Sequence, residues 1–158
     1  MAGGVNTPEL VSAVINNGAV GSYGFAYSKP KQIIEDIKSA KNLLLHEAKG
    51  ALNCNFFVFP EKANDPGPND SSAVVALNEI EFCRLDIQIP DPPYAPSLEA
   101  QLESVWDDPP RILTFHFGIP KVDVIQKAQL LNILVGITAT SEEEAALIEE
   151  AGADFIVA

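Results

Sequence analysis

Length, composition and charge limit the classes of protein to which this chain can belong. Its 158 residues match one domain, and its hydrophobic (47%) and charged (20%) fractions are those of a globular protein. The formal net charge of −12 argues against a nucleic-acid partner, because phosphate binding needs clustered basic residues and here 10 stand among 22 acidic ones. The sequence contains neither a membrane-spanning apolar run nor a signal-peptide pattern, so we expect a cytoplasmic location and no membrane partner.

The two cysteines do not suggest a metal site. Cys54 lies in an apolar, strand-like run, and Cys83 lies in a mixed segment with charged neighbours. Neither belongs to a CxxC motif or to a Cys/His cluster, so a zinc site has no support. Both are interpreted as reduced thiols.

The first third of the chain predicts alternating helices and strands. Thr7-Pro8-Glu9 combines an N-cap residue, a proline at the first helical position and an acidic first turn, and Gly18 marks the end of that helix. A glycine-containing strand is predicted over residues 20–26. An amphipathic helix over residues 31–45 and a strand over residues 55–59 follow.

The middle of the chain has a different composition. Residues 61–110 contain most of the prolines, with short helical pieces predicted at 72–85 and 97–105. A long elaborated segment between regular units is a common location of binding loops. We therefore interpret residues 61–110 as an insert between two repeating units.

Regular alternation returns after this insert. Strands are predicted at residues 111–117, 134–138 and 154–158, with a helix at 122–131 and another opened by the capping-box pattern of Ser141 to Glu144. Strands that are apolar throughout are typical of a parallel sheet covered on both faces. Repeated βα units predict a barrel or an open doubly wound sheet, and the G-x-G-x-x-G turn of the open dinucleotide fold is absent.

Six segments in order resemble the nitronate monooxygenases, formerly called 2-nitropropane dioxygenases. The resemblance covers nearly the whole chain, and the order and spacing of the segments make it specific. The segments are Met-Ala-Gly-Gly-Val-Asn-Thr-Pro at the start, Gly-Ala-Val-Gly-Ser at 18–22, Asn-Phe-Phe-Val-Phe-Pro at 55–60, Thr-Phe-His-Phe-Gly-Ile-Pro at 114–120, Gly-Ile-Thr-Ala-Thr at 136–140 and Ala-Gly-Ala-Asp at 151–154.

The resemblance implies an incomplete TIM (β/α)8 barrel cut off at both ends. A full barrel needs roughly 250 residues, so residues 1–158 would form one partial FMN-binding barrel with about strands two to six. The family implies an FMN-dependent enzyme that oxidises alkyl nitronates with O₂ to a carbonyl compound and nitrite. Exposed edges of the outer strands would favour self-association.

The resemblance also assigns site residues. Met1, Ala2 and Gly3 match backbone contacts to the flavin, and Asn55 matches an asparagine that hydrogen-bonds the flavin ring. His116 and Tyr94 match residues that line the substrate pocket. The histidine that acts as catalytic base in the family would lie beyond Ala158, so no catalytic residue is assigned within the chain.

Each assignment has a structural alternative. Asn55 could be satisfied by neighbouring backbone groups, His116 could be a histidine of the core, and Tyr94 could pack at the edge of solvent. Thr138 and Thr140 could contact a ligand or cap a helix.

Two functional alternatives also stand beside the monooxygenase. One is an FMN oxidoreductase similar to enoyl-acyl-carrier-protein reductase, which shares the early glycine-rich turn. The other is a truncated barrel without catalytic activity that only self-associates.

Overall fold

A computed structural model describes residues 5–59, 72–79 and 95–158. Residue contacts divide the chain into two units, one formed by Met1–Phe59 with Ala95–Ala158 and the other by Pro60–Tyr94. The second unit contains one described helix, α3 (Ser72–Asn78). The first unit contains all the other described elements.

The first unit is a five-stranded parallel sheet with helices between its strands. The strands are β1 (Val20–Gly24), β2 (Ala51–Phe57), β3 (Ile112–His116), β4 (Leu134–Thr138) and β5 (Phe155–Val157). The helices are α1 (Pro8–Asn16), α2 (Pro30–Asn42), α4 (Leu98–Glu103), α5 (Val122–Leu130) and α6 (Glu142–Glu150).

The strand order identifies the kind of sheet. The strands lie side by side as β1-β2-β3-β4-β5, and every neighbouring pair is parallel. A doubly wound sheet reverses its strand order at a switch point, and the described strands contain no such reversal. Consecutive order is the arrangement of successive strands in a (β/α) barrel, so the predicted α/β class with barrel-type strands is confirmed.

Local sequence signals start the helices as predicted. The Thr7 hydroxyl accepts a hydrogen bond from Leu10 N at 3.3 Å, and the Ser141 hydroxyl accepts one from Glu144 N at 3.2 Å. The Glu144 carboxylate accepts from the backbone N–H and hydroxyl of Thr140, at 2.7 and 2.8 Å. These bonds keep the pKa of Glu144 below its ordinary value. Thr140 therefore holds the Glu144 side chain at the start of α6, where Ser141 is the N-cap.

The prediction for the second strand was wrong at its start. The strand begins at Ala51 instead of at residue 55, and residues Ala51–Asn55 pair in register with β1. Asn53 is a poor strand former by composition. It is accommodated because Ser22 and Thr114, on the two neighbouring strands, hydrogen-bond its side chain.

An apolar core joins one face of the sheet to the helices, and we call this face the helix face. Its centre is formed by Phe56 and Phe115, which are fully buried against residues of the surrounding helices. Gly21 permits close approach of α1, because a Cβ atom there would clash with the Val11 carbonyl oxygen. The strand residues of the helix face are Gly21, Tyr23, Leu52, Cys54, Phe56, Leu113, Phe115, Val135 and Ile137.

Two kinds of feature are absent from the described part of the chain. None of its helices combines the length and the apolar character needed to cross a membrane. Within residues 5–59, 72–79 and 95–158, no group of three or more His, Cys, Asp or Glu side chains is arranged to hold a metal ion.

Candidate functional site

The side chains that alternate with the helix face line a cleft on the other side of the sheet. We call this side the cleft face. The cleft has a volume of about 470 Å³, within the range of small-molecule sites. Its lining residues are Ser22, Asn53, Asn55, Phe57, Thr114, His116, Phe117 and Val157, together with Tyr23, whose side chain belongs to the helix face.

Hydrogen bonds between side chains connect the first three strands across the cleft face. Asn53 Nδ2 donates to the Ser22 hydroxyl at 3.2 Å and to Thr114 Oγ1 at 3.0 Å. The Thr114 hydroxyl donates to Asn53 Oδ1 at 3.2 Å, and Asn55 Nδ2 donates to Thr114 Oγ1 at 3.0 Å. Asn53 and Thr114 are both buried, so each needs these partners.

The orientation of the Asn55 amide follows from this network. Asn55 Nδ2 also donates to the backbone oxygen of Thr114 at 3.3 Å. A carbonyl oxygen only accepts hydrogen bonds, so the amide must turn its NH₂ group toward β3. Asn55 Oδ1 has no hydrogen-bond donor among the described residues. The half-buried side chain can therefore offer an acceptor to a ligand in the cleft.

His116 is the last residue of β3 and lies at the carboxyl end of the sheet, where TIM-barrel active sites form. Its Nδ1 lies 2.5 Å from the Thr138 hydroxyl on β4. The ring of Phe57 stands perpendicular to the imidazole, with centroids 6.2 Å apart. His116 is half-buried and lines the cleft.

Aromatic side chains surround His116 at this edge. Phe117, which follows β3, is 73% exposed and has a φ of 69°, in the left-handed region that non-glycine residues seldom adopt. Its ring contacts Phe57 edge to face, at a centroid distance of 4.7 Å. Unusual backbone conformations of this kind concentrate at functional sites.

The structure brings together only some of the residues predicted from sequence. Asn55 and His116 line the same cleft. Met1, Ala2, Gly3 and Tyr94 lie outside the described residues.

Sequence reasoning missed seven further lining residues of the cleft: Ser22, Tyr23, Asn53, Phe57, Thr114, Phe117 and Val157. Strand alternation was the signal that could have found two of them. Side chains two residues apart share a face, so Asn53 and Phe57 belong with Asn55 once the strand is known to start at Ala51. Thr114 can be assigned to the cleft only when the pairing of β2 with β3 is known, and the sequence does not reveal that pairing.

Cys54 belongs to the helix face and not to the cleft. It is completely buried, and burial raises the pKa of its thiol well above the ordinary value. A thiol held in its neutral form is a poor nucleophile and a poor metal ligand. Cys54 is therefore a core residue, and Cys83 lies outside the described residues.

Sequence comparison supplies relatives for this chain. The family model for nitronate monooxygenase matches residues 1–158. The chain is 30% identical to a nitronate monooxygenase of Pseudomonas aeruginosa over 172 residues, covering 98% of this chain and 44% of the relative. It is 28% identical to a probable nitronate monooxygenase of Staphylococcus aureus over 160 residues, covering 98% of this chain and 42% of that relative.

This chain also resembles proteins of solved structure. A nitroalkane oxidase from Streptomyces ansochromogenes is 29% identical with a TM-score of 0.80, covering 100% of this chain and 44% of that one. FabK from Thermotoga maritima is 19% identical with a TM-score of 0.67, covering 100% and 38%, and this likeness concerns the fold alone. The chain spans less than half the length of these relatives. With the family model matched from end to end, the chain belongs to the nitronate monooxygenase family.

Proposed function

We propose that this chain functions in an FMN-dependent nitronate monooxygenase, an oxidoreductase that converts alkyl nitronates and O₂ to a carbonyl compound and nitrite. The observation that carries the proposal is the shared cleft of Asn55 and His116, at the carboxyl end of a barrel-type sheet in a chain of this family. The family resemblance assigns Asn55 to the flavin and His116 to the substrate pocket, and both side chains line this one cleft.

The cleft has features that suit a flavin. Its volume of about 470 Å³ accommodates a planar ring system, and aromatic and polar side chains share its lining. In this proposal, Asn55 hydrogen-bonds the flavin ring through its free amide oxygen, and Met1, Ala2 and Gly3 contribute backbone contacts. When bound, FMN supplies the electron transfer that the protein side chains cannot perform.

His116 is the proposed substrate residue. It donates a hydrogen bond to the negatively charged nitronate oxygen, while Phe57 and Phe117 form an apolar wall beside it. Tyr94 is a second proposed pocket residue.

His116 is also the only imidazole or carboxylate side chain among the described cleft residues. If His116 serves as a hydrogen-bond donor, no general base remains among the described cleft residues. We therefore expect the 158-residue chain alone to oxidise nitronates slowly or not at all.

The outer strands form a proposed self-association surface. Val20 on β1 and Ile156 on β5 are 51% and 41% exposed, and each belongs to a strand with only one described neighbour. Unpaired strand edges can pair with another chain. Size-exclusion chromatography over a range of protein concentrations tests this point, and a monomer throughout would contradict it.

Flavin binding is the first test of the proposed function. We expect the purified chain to quench FMN fluorescence saturably, and we expect Asn55→Ala to weaken binding about tenfold, the cost of roughly one hydrogen bond. Asn17→Ala is the matched control, because Asn17 directly follows α1 and is not a lining residue of the cleft. Equal affinity for the two variants would remove Asn55 from the site.

Catalysis is tested separately. Nitrite release and O₂ consumption are measured with a propane- or propionate-type nitronate and added FMN. In parallel, NAD(P)H oxidation is measured with an enoyl thioester, the reaction of the reductase alternative. Enoyl reduction without nitrite release would overturn the monooxygenase proposal.

A further inference from the structure

Thr138 is the last residue of β4. Its hydroxyl oxygen lies 2.5 Å from Nδ1 of His116 on the neighbouring strand, within hydrogen-bond distance. Both side chains are half-buried. The short distance requires one shared hydrogen, carried either by the hydroxyl or by Nδ1.

The partners of the hydroxyl decide between these two arrangements. His116 Nδ1 is its only hydrogen-bond partner among the described residues. If Nδ1 carried the hydrogen, the hydroxyl hydrogen would have no acceptor within that set. If the hydroxyl donates to Nδ1, its hydrogen is satisfied and its oxygen needs no further partner, because unfilled acceptor sites cost less than an unsatisfied donor.

Neighbouring rings support a single orientation of the imidazole. Phe57 stands at 90° to the His116 ring, and Phe117 is tilted by 54° at a centroid distance of 6.3 Å. A ring bounded by aromatic side chains and fixed at one nitrogen has few rotamers available. Its other nitrogen, Nε2, has no hydrogen-bond partner among the described residues.

We propose that Thr138 is a positioning residue that holds His116 in the tautomer with its hydrogen on Nε2, so that His116 serves the cleft as a hydrogen-bond donor and not as a base. The tautomer is inferred from the hydrogen-bond geometry and does not depend on the proposed function. The use of that donor toward a nitronate oxygen rests on the proposed function. No described residue other than Thr138 fixes Nδ1.

The test is ¹⁵N NMR of the imidazole nitrogens in the 158-residue chain at about pH 8, where an ordinary imidazole is neutral. The sequence has two histidines, so two ring systems are observed. His46 is exposed and serves as the internal reference for a freely exchanging tautomer. The substitution His116→Gln assigns the remaining signals.

For His116 we expect a protonated Nε2 and an unprotonated Nδ1, in contrast to averaged signals for His46. Thr138→Ser keeps the hydroxyl and should retain this pattern, whereas the isosteric Thr138→Val should shift both nitrogens toward the His46 values. A hydrogen found on Nδ1, or averaged signals in the unsubstituted chain, would overturn the inference without any variant being needed. A Thr138→Val variant that leaves the pattern unchanged would also overturn the inference.

The contact between His116 and nitronate is tested by a separate measurement. In a preparation that oxidises nitronate, Thr138→Val should raise the KM for nitronate about tenfold, the loss of roughly one charge-assisted hydrogen bond, and Thr138→Ser should restore it. An unaffected KM together with the expected NMR pattern would reject the nitronate contact while leaving the tautomer intact.

Discussion

The two faces of the same strands differ in what they contain. On β2, Leu52, Cys54 and Phe56 enter the apolar core, while the residues between them, Asn53 and Asn55, enter a hydrogen-bonded network. Strand β3 shows the same division, with Leu113 and Phe115 on one side and Thr114 and His116 on the other. One backbone therefore supports a packed core and a polar cleft at once, because successive side chains point to opposite faces.

A parallel strand can carry polar residues without losing stability when those residues satisfy one another. The helix face gains stability from burial of apolar area. The polar groups of the cleft face are satisfied mainly by one another, and no buried side-chain nitrogen or oxygen in the described residues lacks a partner. Substitutions on the two faces should therefore have different consequences.

The largest effect is expected on the helix face. Phe56→Ala should lower the free energy of unfolding by about 3–5 kcal/mol, because the side chain is fully buried and the cavity cannot collapse completely. Urea denaturation followed by circular dichroism measures this. Phe117→Ala, at a residue that is 73% exposed, is the control and should change stability by less than about 0.5 kcal/mol. Similar losses of unfolding free energy for both variants would contradict the distinction between the buried ring of Phe56 and the exposed ring of Phe117.

A smaller effect is expected within the polar network. Thr114→Val should cost about 1–3 kcal/mol of unfolding free energy, because the Asn53 and Asn55 amides lose their shared partner. Thr114→Ser keeps the hydroxyl and is the control in the same denaturation experiment. If the Val variant were as stable as the Ser variant, the network would contribute nothing to folding.

Alkaline pH should reveal the buried thiol of the helix face. Burial raises the pKa of Cys54, so its contribution is complete below the unfolded-state pKa of about 8.5 and is lost as pH rises toward the folded-state pKa. Above about pH 8.5, the unfolding free energy should fall by about 1.4 kcal/mol per pH unit from this group.

Unfolding at about pH 8, 9 and 10 compares the original chain with Cys54→Ala, which lacks this slope. The highest pH of the series is kept near the ordinary pKa of tyrosine. Burial also raises the pKa of Tyr23, so this residue would add its own pH dependence at higher pH. Parallel pH profiles for the two chains would show that Cys54 ionises equally in both states.

The smallest effect is expected at the rim of the cleft. Because Phe117 has a φ of 69°, Phe117→Gly should be more stable than Phe117→Ala by about 1 kcal/mol, as glycine adopts this conformation without a Cβ clash. Thermal unfolding of the matched pair measures the difference. Equal stability would mean that the backbone relaxes out of the left-handed region once the ring is removed.

Signals that act over a few residues predicted much of the fold. The caps at Thr7 and Ser141 and the strand over Leu134–Thr138 agree with the structure, because capping and apolar runs are local properties. The start of β2 could not be predicted, since Asn53 is stabilised by partners on two other strands. Asn55 and His116 were predicted as site residues through the family resemblance, whereas the pairing of His116 with Thr138 depends on the register of β3 against β4.

The sequence alone determined the alternation of helices and strands, the parallel character of the sheet and the family. These follow from patterns along the chain: caps, apolar runs and motifs in order. The tertiary structure decided which polar residues meet, how the Asn55 amide is turned and which atom of His116 is fixed. The physical reason is that a hydrogen bond between strands depends on register, and register is set by packing of the whole sheet.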